Sequence, residues 1–256
     1  MLRSLYSGVS GLKSLQVKMD TVANNIANAN TMGFKSSRTM FEDLISQTTA
    51  SPSAPSANLG GINAKQVGLG VQVGSTDLST GIGAPQQTGR ALDVYIAKQG
   101  YFKVTDGDKA YYTRDGDFQL DKDGTLVTKS GLKVAVTNAT KIPAGAEIAI
   151  DAAGKISYVN DGGTITQAGQ IETYNFSNPA GLTKAGGNLF SVSNNSGQAT
   201  DSTGKSSLQS GALEMSNVDL STEFTDMIIA NRAYQANART ITTSDEMLQE
   251  LVNLKH

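Results

Sequence analysis

The chain contains no cysteine and no tryptophan, and its single histidine is the last of 256 residues. The missing thiols rule out a cysteine nucleophile, a disulfide framework and a Cys/His zinc centre. A Ser–His–Asp arrangement would have to rest on His256, a poor place to hold an oriented base. Aromatics make up only 6% of the sequence, so the core is modest for the length, and 27 glycines imply many turns. Neither sign of charge dominates: 21 Lys and Arg stand against 23 Asp and Glu, for a net charge of −2. With no basic run of five or six, nothing marks a nucleic-acid partner. No apolar run approaches the roughly 18 residues of a membrane span. Lys13 and Lys18 interrupt the opening MLRSLYSGVSGLKSLQVKMD before any signal-peptide core forms. The expectation is a protein without membrane insertion which, if it leaves the cell, does so without a cleaved leader.

What is present is an apolar periodicity at both ends. Leu2, Leu5, Val9, Leu12, Leu15, Met19, Val22 and Ile26 fall at three- and four-residue spacings. The pattern returns at Leu220, Phe224, Met227, Tyr234, Ile241, Leu248 and Val252. Such spacing places side chains on one helical face, and sustained heptads favour packing against another helix. The first helix is expected from about Leu2 to Asn28, weakened by Gly8 and Gly11 at roughly 1 kcal/mol each. Asn28, Asn30 and Gly33 signal its stop, and Asp219 or Ser221 is the N-cap expected for the second helix. Phe34–Ile45 reads as a short helix or an extended arm.

The middle reads as β-structure. Val67, Leu69, Val71 and Val73 alternate with small or polar residues. Further strands are expected at 92–96, 101–104, 111–113, 118–120, 125–128, 148–150, 156–159, 171–176 and 189–192. Asp106-Gly107, Asp115-Gly116 and Asp123-Gly124 supply tight-turn chemistry between them. The fold class predicted is α+β, with the N- and C-terminal helices pairing as a coiled-coil-like inner layer and a central all-β domain. The expected division is 1–34 plus 217–256 for the helices forming an inner polymerisation layer, 35–66 and 194–216 for linker or arm segments, and 67–193 for the β domain.

The candidate chemistry is thin. Asp106, Asp108, Asp115, Asp117, Asp121 and Asp123 invite a calcium reading, but no Glu follows at loop spacing and a strand continues instead. Solvent-facing hairpin turns explain the run, so no metal, cofactor or catalytic residue is assigned. Gly68-Leu69-Gly70-Val71-Gln72-Val73-Gly74 is followed by neither Lys-Ser/Thr nor a helix, and reads as a glycine-interrupted strand. The terminal stripes carry more weight. Burying one Leu, Phe or Met is worth roughly 1.5–3 kcal/mol, and a two-helix pair leaves apolar edges uncovered. Self-assembly is therefore expected through Leu5, Leu12, Met19, Ile26, Leu220, Phe224, Met227, Tyr234, Ile241 and Leu248. A rival reading is a secreted β-rich glycan-binding protein or carboxylate-based enzyme using the acidic hairpins; it lacks Trp platforms, and Tyr is spread evenly along the chain.

Asn24-Asn25-Ile26-Ala27-Asn28-Ala29-Asn30-Thr31-Met32-Gly33-Phe34-Lys35 resembles the N-terminal signature of the bacterial flagellar rod and hook axial proteins. Ser216-Asn217-Val218-Asp219-Leu220 and Arg232-Ala233-Tyr234-Gln235-Ala236-Asn237 resemble its C-terminal partner. Thr88–Asp93, Gly100–Phe102 and Tyr112–Gly116 are similar to the start of the family's β domain. The family motif thus maps onto Asn24, Asn25, Asn28, Asn30, Thr31, Gly33, Phe34, Asn217, Asp219 and Arg232. Tyr95–Gln99 departs from the usual pattern. Gly60–Gly70 and the ending Thr242–Lys255 look like the short hook proteins of Gram-positive bacteria, with the distal rod protein as the alternative.

The resemblance implies a non-enzymatic structural subunit that polymerises into a hollow helical tube needed for motility. Its partners would be copies of itself, neighbouring axial proteins, a cap or scaffold protein and the type III export apparatus. Its place would be the hook or basal body, reached by unfolded export.

Overall fold

The computed structural model describes residues 2–55, 60–143, 145–160 and 163–254. His256 lies outside them. The chain divides into two compact units: Met1–Ile26, Ser37–Asp77 and Leu220–His256 form the first, and Ala27–Ser36 with Leu78–Asp219 the second. The architecture is the α+β class expected from the sequence.

The first unit holds helices α1 (Leu2–Ala27) and α2 (Leu220–Asn253). The 34 residues of α2 span roughly 50 Å at 1.5 Å per residue. Its start at Leu220 puts Asp219 at the N-cap position. The helices meet differently from a heptad of large side chains. Among the described side chains, Gly8, Gly11 and Ser14 are the buried positions in the first half of α1, while Ala230 and Ser244 are those of α2. A Cβ on Gly8 would stand 3.2 Å from Ile241 Cγ1, and one on Gly11 would stand 2.7 Å from Asn237 Nδ2. These glycines trade helix propensity for close approach of a second helix. Lys18 Nζ bonds Asp226 Oδ1 at 3.2 Å beside the same contact.

The described residues of 37–55 and 60–77 form a two-stranded ribbon in this unit. Ser37–Asp43 pairs with Val71–Leu78, Gln47–Ala50 pairs antiparallel with Lys65–Val67, and a bridge joins Ser53 to Ile62. The helix-or-arm segment is thus a strand, and the Pro-broken stretch expected to be linker continues the ribbon. The three residues 68–70 break the outgoing edge where one strand was expected. Gly70, at φ +126°, passes so close to Ser10 that no side chain fits there.

The second unit is β-rich. Tyr101–Asp106 and Lys109–Thr113 form a hairpin through the two-residue turn Gly107-Asp108, with Gly107 at φ +57°. Around it a nine-stranded sheet grows, and a four-stranded antiparallel sheet includes Ile148–Ile150, Lys155–Val159 and Ile165–Ile171. Alternation splits the core. Phe102 and Val104 face a cluster with Phe118, Ile156, Ile171 and Leu208, while neighbouring Tyr101 faces another with Tyr112, Phe176 and Phe190. The few aromatics are concentrated here in edge-to-face pairs, Tyr112–Phe176 at 4.8 Å and Phe102–Phe118 at 5.0 Å between centroids. They fill a core and form no open platform. The polar stretch 194–216, expected to be linker, supplies three strands: Leu208–Ser210 pairs with Val94–Ile96, Ala212–Glu214 with Pro85–Gln87, and Thr200–Asp201 with Thr173–Asn175.

Candidate functional site

At the centre of the second unit three distant charged residues meet. Lys35, Arg114 and Glu214 are each only 1–2% exposed. Glu214 Oε1 accepts from Lys35 Nζ at 2.5 Å and from Gly83 N at 2.9 Å, while Oε2 accepts from Arg114 Nη1 at 2.9 Å. Lys35 Nζ also donates to Gly81 O at 2.6 Å. Arg114 reaches the carbonyls of Ile96 and Lys98 at 3.1 and 2.9 Å. Those carbonyls belong to the Tyr95–Gln99 segment that departs from the family pattern, so the departure sits where the guanidinium is anchored. Burial pulls the Lys35 ammonium below the usual lysine range; Glu214 opposes this and Arg114 reinforces it. Burial likewise raises the phenols of Tyr95 and Tyr101.

Backbone threads through this cluster at close quarters. Gly33, at φ +67°, donates its N–H to Glu214 O at 2.8 Å, and a Cβ there would stand 2.6 Å from Asp115 N. Asn217 acts as a second clasp: Oδ1 accepts from Ser36 N at 2.8 Å, and Nδ2 donates to Ser79 O at 3.0 Å. Phe34 is buried with the Lys184 ammonium 4.7 Å above its ring. Three separate runs of sequence, 33–36, 79–83 and 214–217, are thereby pinned together. In the first unit Asn25 does the equivalent. Its side chain bonds both backbone groups of Ser37, at 2.8 and 3.0 Å, and Glu223 Oε1 at 2.9 Å.

The acidic run divides. Asp108, Asp121 and Asp123 are exposed at turns, and Asp106 is exposed at the strand end beside one. Asp115-Gly116 is not a hairpin turn: Gly116 lies against the Val94 carbonyl, and Asp115 and Asp117 are half-buried. Arg90 Nη1 binds Asp117 at 2.8 Å and Asp93 at 3.4 Å. Burial holds the Asp115 carboxyl above the usual aspartate value, partly offset by the Asp117 N–H that it accepts. These carboxylates are committed to turn and ion-pair geometry.

The helices of the first unit present the other candidate surface. Leu5, Leu12, Met19 and Ile26 are half-buried, as are Met227, Ile241 and Leu248. Leu220, Phe224 and Tyr234 are exposed, and so are Ile228, Ile229 and Met247, which the heptad reading passed over. A single-stripe reading merged two faces of α2.

The family described as "Flagella basal body rod protein" matches residues 5–35, that of the "Flagellar hook protein FlgE/F/G D1 domain" residues 95–158, and that of the "Flagellar basal body rod FlgEFG protein C-terminal" residues 209–254. The flagellar basal-body rod protein FlgG of Bacillus subtilis (strain 168) is 51% identical over the full length of both chains. FlgG of Borreliella burgdorferi is 38% identical over all of this chain and 99% of that one. The chain belongs to the flagellar rod and hook axial protein family. As such it is a structural subunit of the bacterial flagellum. Its hook-protein relative from B. burgdorferi is 28% identical over 442 aligned positions, which exceeds the 256 residues here and implies long insertions. The relatives favour the rod alternative over the hook reading drawn from Gly60–Gly70.

Within this axial protein the motif residues separate into clasps and surface. Asn25, Gly33, Phe34 and Asn217 hold the arrangement described above, and Thr31 Oγ1 donates to Asn28 Oδ1 at 3.2 Å. Asn24, Asn30, Asp219 and Arg232 are exposed. Sequence reasoning missed the Lys35–Arg114–Glu214 cluster. Lys35 and Arg114 stood inside quoted motifs, but nothing in their spacing from Glu214 signals a meeting.

Proposed function

We propose that this chain is the distal rod subunit of the flagellar basal body, a rigid tube element exported unfolded and assembled from copies of itself. The observation that carries the polymer reading is the outer face of α2. Phe224, Ile228 and Ile229 lie 51%, 63% and 56% exposed on a long helix whose partner face is already occupied by α1. Covering each is worth roughly 1.5–3 kcal/mol, and a second copy repeats the same face along a helical lattice. Rod rather than hook is supported by the full-length FlgG relatives and by the ribbon of 37–55 and 60–77, which carries exposed Met40, Phe41, Ile45 and Ile62. A two-stranded ribbon is marginal alone and gains from lying against neighbours, a source of stiffness. Neighbouring axial proteins, a cap or scaffold protein and the type III export apparatus complete the partners. Leu5, Leu12, Met19, Ile26 and the α2 residues named above form the assembly layer.

The test is purification of hook–basal bodies from cells carrying an epitope on an exposed turn such as Lys122. Immunogold labelling confined to the rod supports the assignment, and labelling along the curved hook refutes it. Deletion of the gene is expected to leave cells without hooks or filaments.

A further inference from the structure

Within the second unit the core cluster around Phe102 is not closed on all sides. A cavity of about 360 Å³ is lined by Leu126 and Val134 from the nine-stranded sheet and by Val136, Ile156 and Ala168 from the four-stranded one. Protein interiors pack closely, and a void much larger than a water molecule leaves its walls short of contacts. Ligand pockets run from about 300 to 1,000 Å³, and a cavity of about 150 Å³ already takes benzene. This one has room for an alkyl chain or an aromatic ring. Residues 139–142 all line it and are tied across it at two points. Thr140 donates its N–H to Ala168 O at 2.7 Å, and Ile142 donates to Gly124 O at 3.1 Å. Gly124, at φ +75°, allows the second tie, because a Cβ there would stand 2.2 Å from Ile142 O.

The charge around the cavity has one sign. Lys133 and Lys141 line it and are exposed, and no Asp or Glu is among the lining residues. Neither lysine enters an ion pair among the described residues. An apolar wall supplies affinity while a few charged groups fix orientation, and two ammonium groups select an anion. We propose that this cavity is a binding site for a small amphipathic anion, one medium-length alkyl chain or aromatic ring carrying a carboxylate or sulfonate. The apolar part lies against Leu126, Val134, Ile156 and Ala168, and Lys133 and Lys141 hold the anionic head. The ligand joins the two sheets, so the folded unit gains stability with ligand concentration.

The experiment titrates the full chain with octanoate, read by calorimetry and by Tm, with 1-octanol as the uncharged counterpart. Saturable octanoate binding, a Tm that climbs with its concentration and weaker octanol binding are expected. The double variant Lys133→Gln/Lys141→Gln should weaken octanoate by about three- to tenfold, the loss of two exposed charge pairs, and leave octanol unchanged. Ala168→Leu should fill the cavity and abolish binding of both. Near-UV circular dichroism shows whether that variant keeps its fold; if it does not, the lysine variant decides alone. The proposal is overturned by an absence of saturable octanoate binding, by an octanoate affinity that the lysine variant leaves unchanged, or by full binding to a folded Ala168→Leu protein. Binding to vesicles of anionic lipid without binding of free octanoate also overturns it, and makes the face a membrane contact.

Discussion

Replacing Glu214 by Gln removes the one anion between two buried cations while keeping nearly the same shape. Three donors converge on the carboxylate, from Lys35, Gly83 and Arg114, and the amide oxygen can serve at most the two that share Oε1. The amide's own N–H₂ would then point at another donor. Breaking a buried pair by removing one partner costs about 3–5 kcal/mol, because the remaining charge is left uncompensated. For a unit of this size that is about 10 °C in Tm, a large part of the 5–15 kcal/mol that typically separates folded from unfolded. The stoichiometry makes a sharper statement. Lys35→Met leaves one cation facing one anion, so its cost should be smaller than that of Glu214→Gln although both delete the same ion pair. Thermal unfolding of the full chain followed by near-UV circular dichroism reads this unit directly, since Tyr95, Tyr101 and Tyr112 are buried in it. A Glu214→Gln protein melting within a degree or two of the parent, or a Lys35→Met protein less stable than Glu214→Gln, would show that the cluster is not an anion-centred clasp.

Gly33→Ala forces a Cβ into 2.6 Å contact with Asp115 N at φ +67°, which should cost about 1–3 kcal/mol in denaturant unfolding; a neutral result removes Gly33 from the clasp. Asp115→Asn should flatten the acid side of the stability profile. With its folded pKa raised, Asp115 contributes stability that is full below the unfolded value and lost as pH climbs through the folded one, so the variant gains relative to the parent above that window; equal profiles refute the burial argument. Gly11→Ala should raise the helicity of an isolated α1 peptide yet weaken the α1–α2 contact in the full chain, where Asn237 must move; gains in both measurements would mean the close approach is unimportant.

Much of the fold was legible because backbone periodicity announces itself. The first helix was expected from Leu2 to Asn28 and runs Leu2–Ala27, and the strands Phe118–Leu120 and Ile148–Ile150 fall where alternation put them. The stretches 46–61 and 194–216 read as linker because of their Ser, Thr and Gly content, although the structure places strands in both. Strand pairing satisfies backbone groups whatever the side chains, and among the described residues there only Leu208, Ala212 and Leu213 are buried hydrophobics. The clasp residues were harder. Asn25 and Asn217 were visible as motif letters, but their work is to bond backbone groups brought near by the fold, and no local pattern encodes that. Asp115 shows the limit of turn chemistry: an Asp-Gly pair marks a place where backbone needs freedom, and here the need is Gly116's approach to Val94.

The two faces of α2 decide how a subunit can be both a stable chain and a polymer brick. Had the large apolar residues all faced α1, the helix pair would have been satisfied alone, and assembly would have needed a different surface. Instead small residues make the intramolecular seam, which brings the backbones close and leaves Phe224, Ile228 and Ile229 outward. Ile228→Asp therefore separates the two roles. At 63% exposure the residue touches little in the single chain, so the subunit's melting should stay within about 0.5 kcal/mol of the parent. In a repeated contact the same carboxylate would be buried without a partner in every copy, which is prohibitive. Purified Ile228→Asp should stay unassembled under conditions where the parent forms tubes by electron microscopy, and cells carrying it should be non-motile. Normal tubes from this variant would place the assembly seam elsewhere and leave the outward face of α2 without a role.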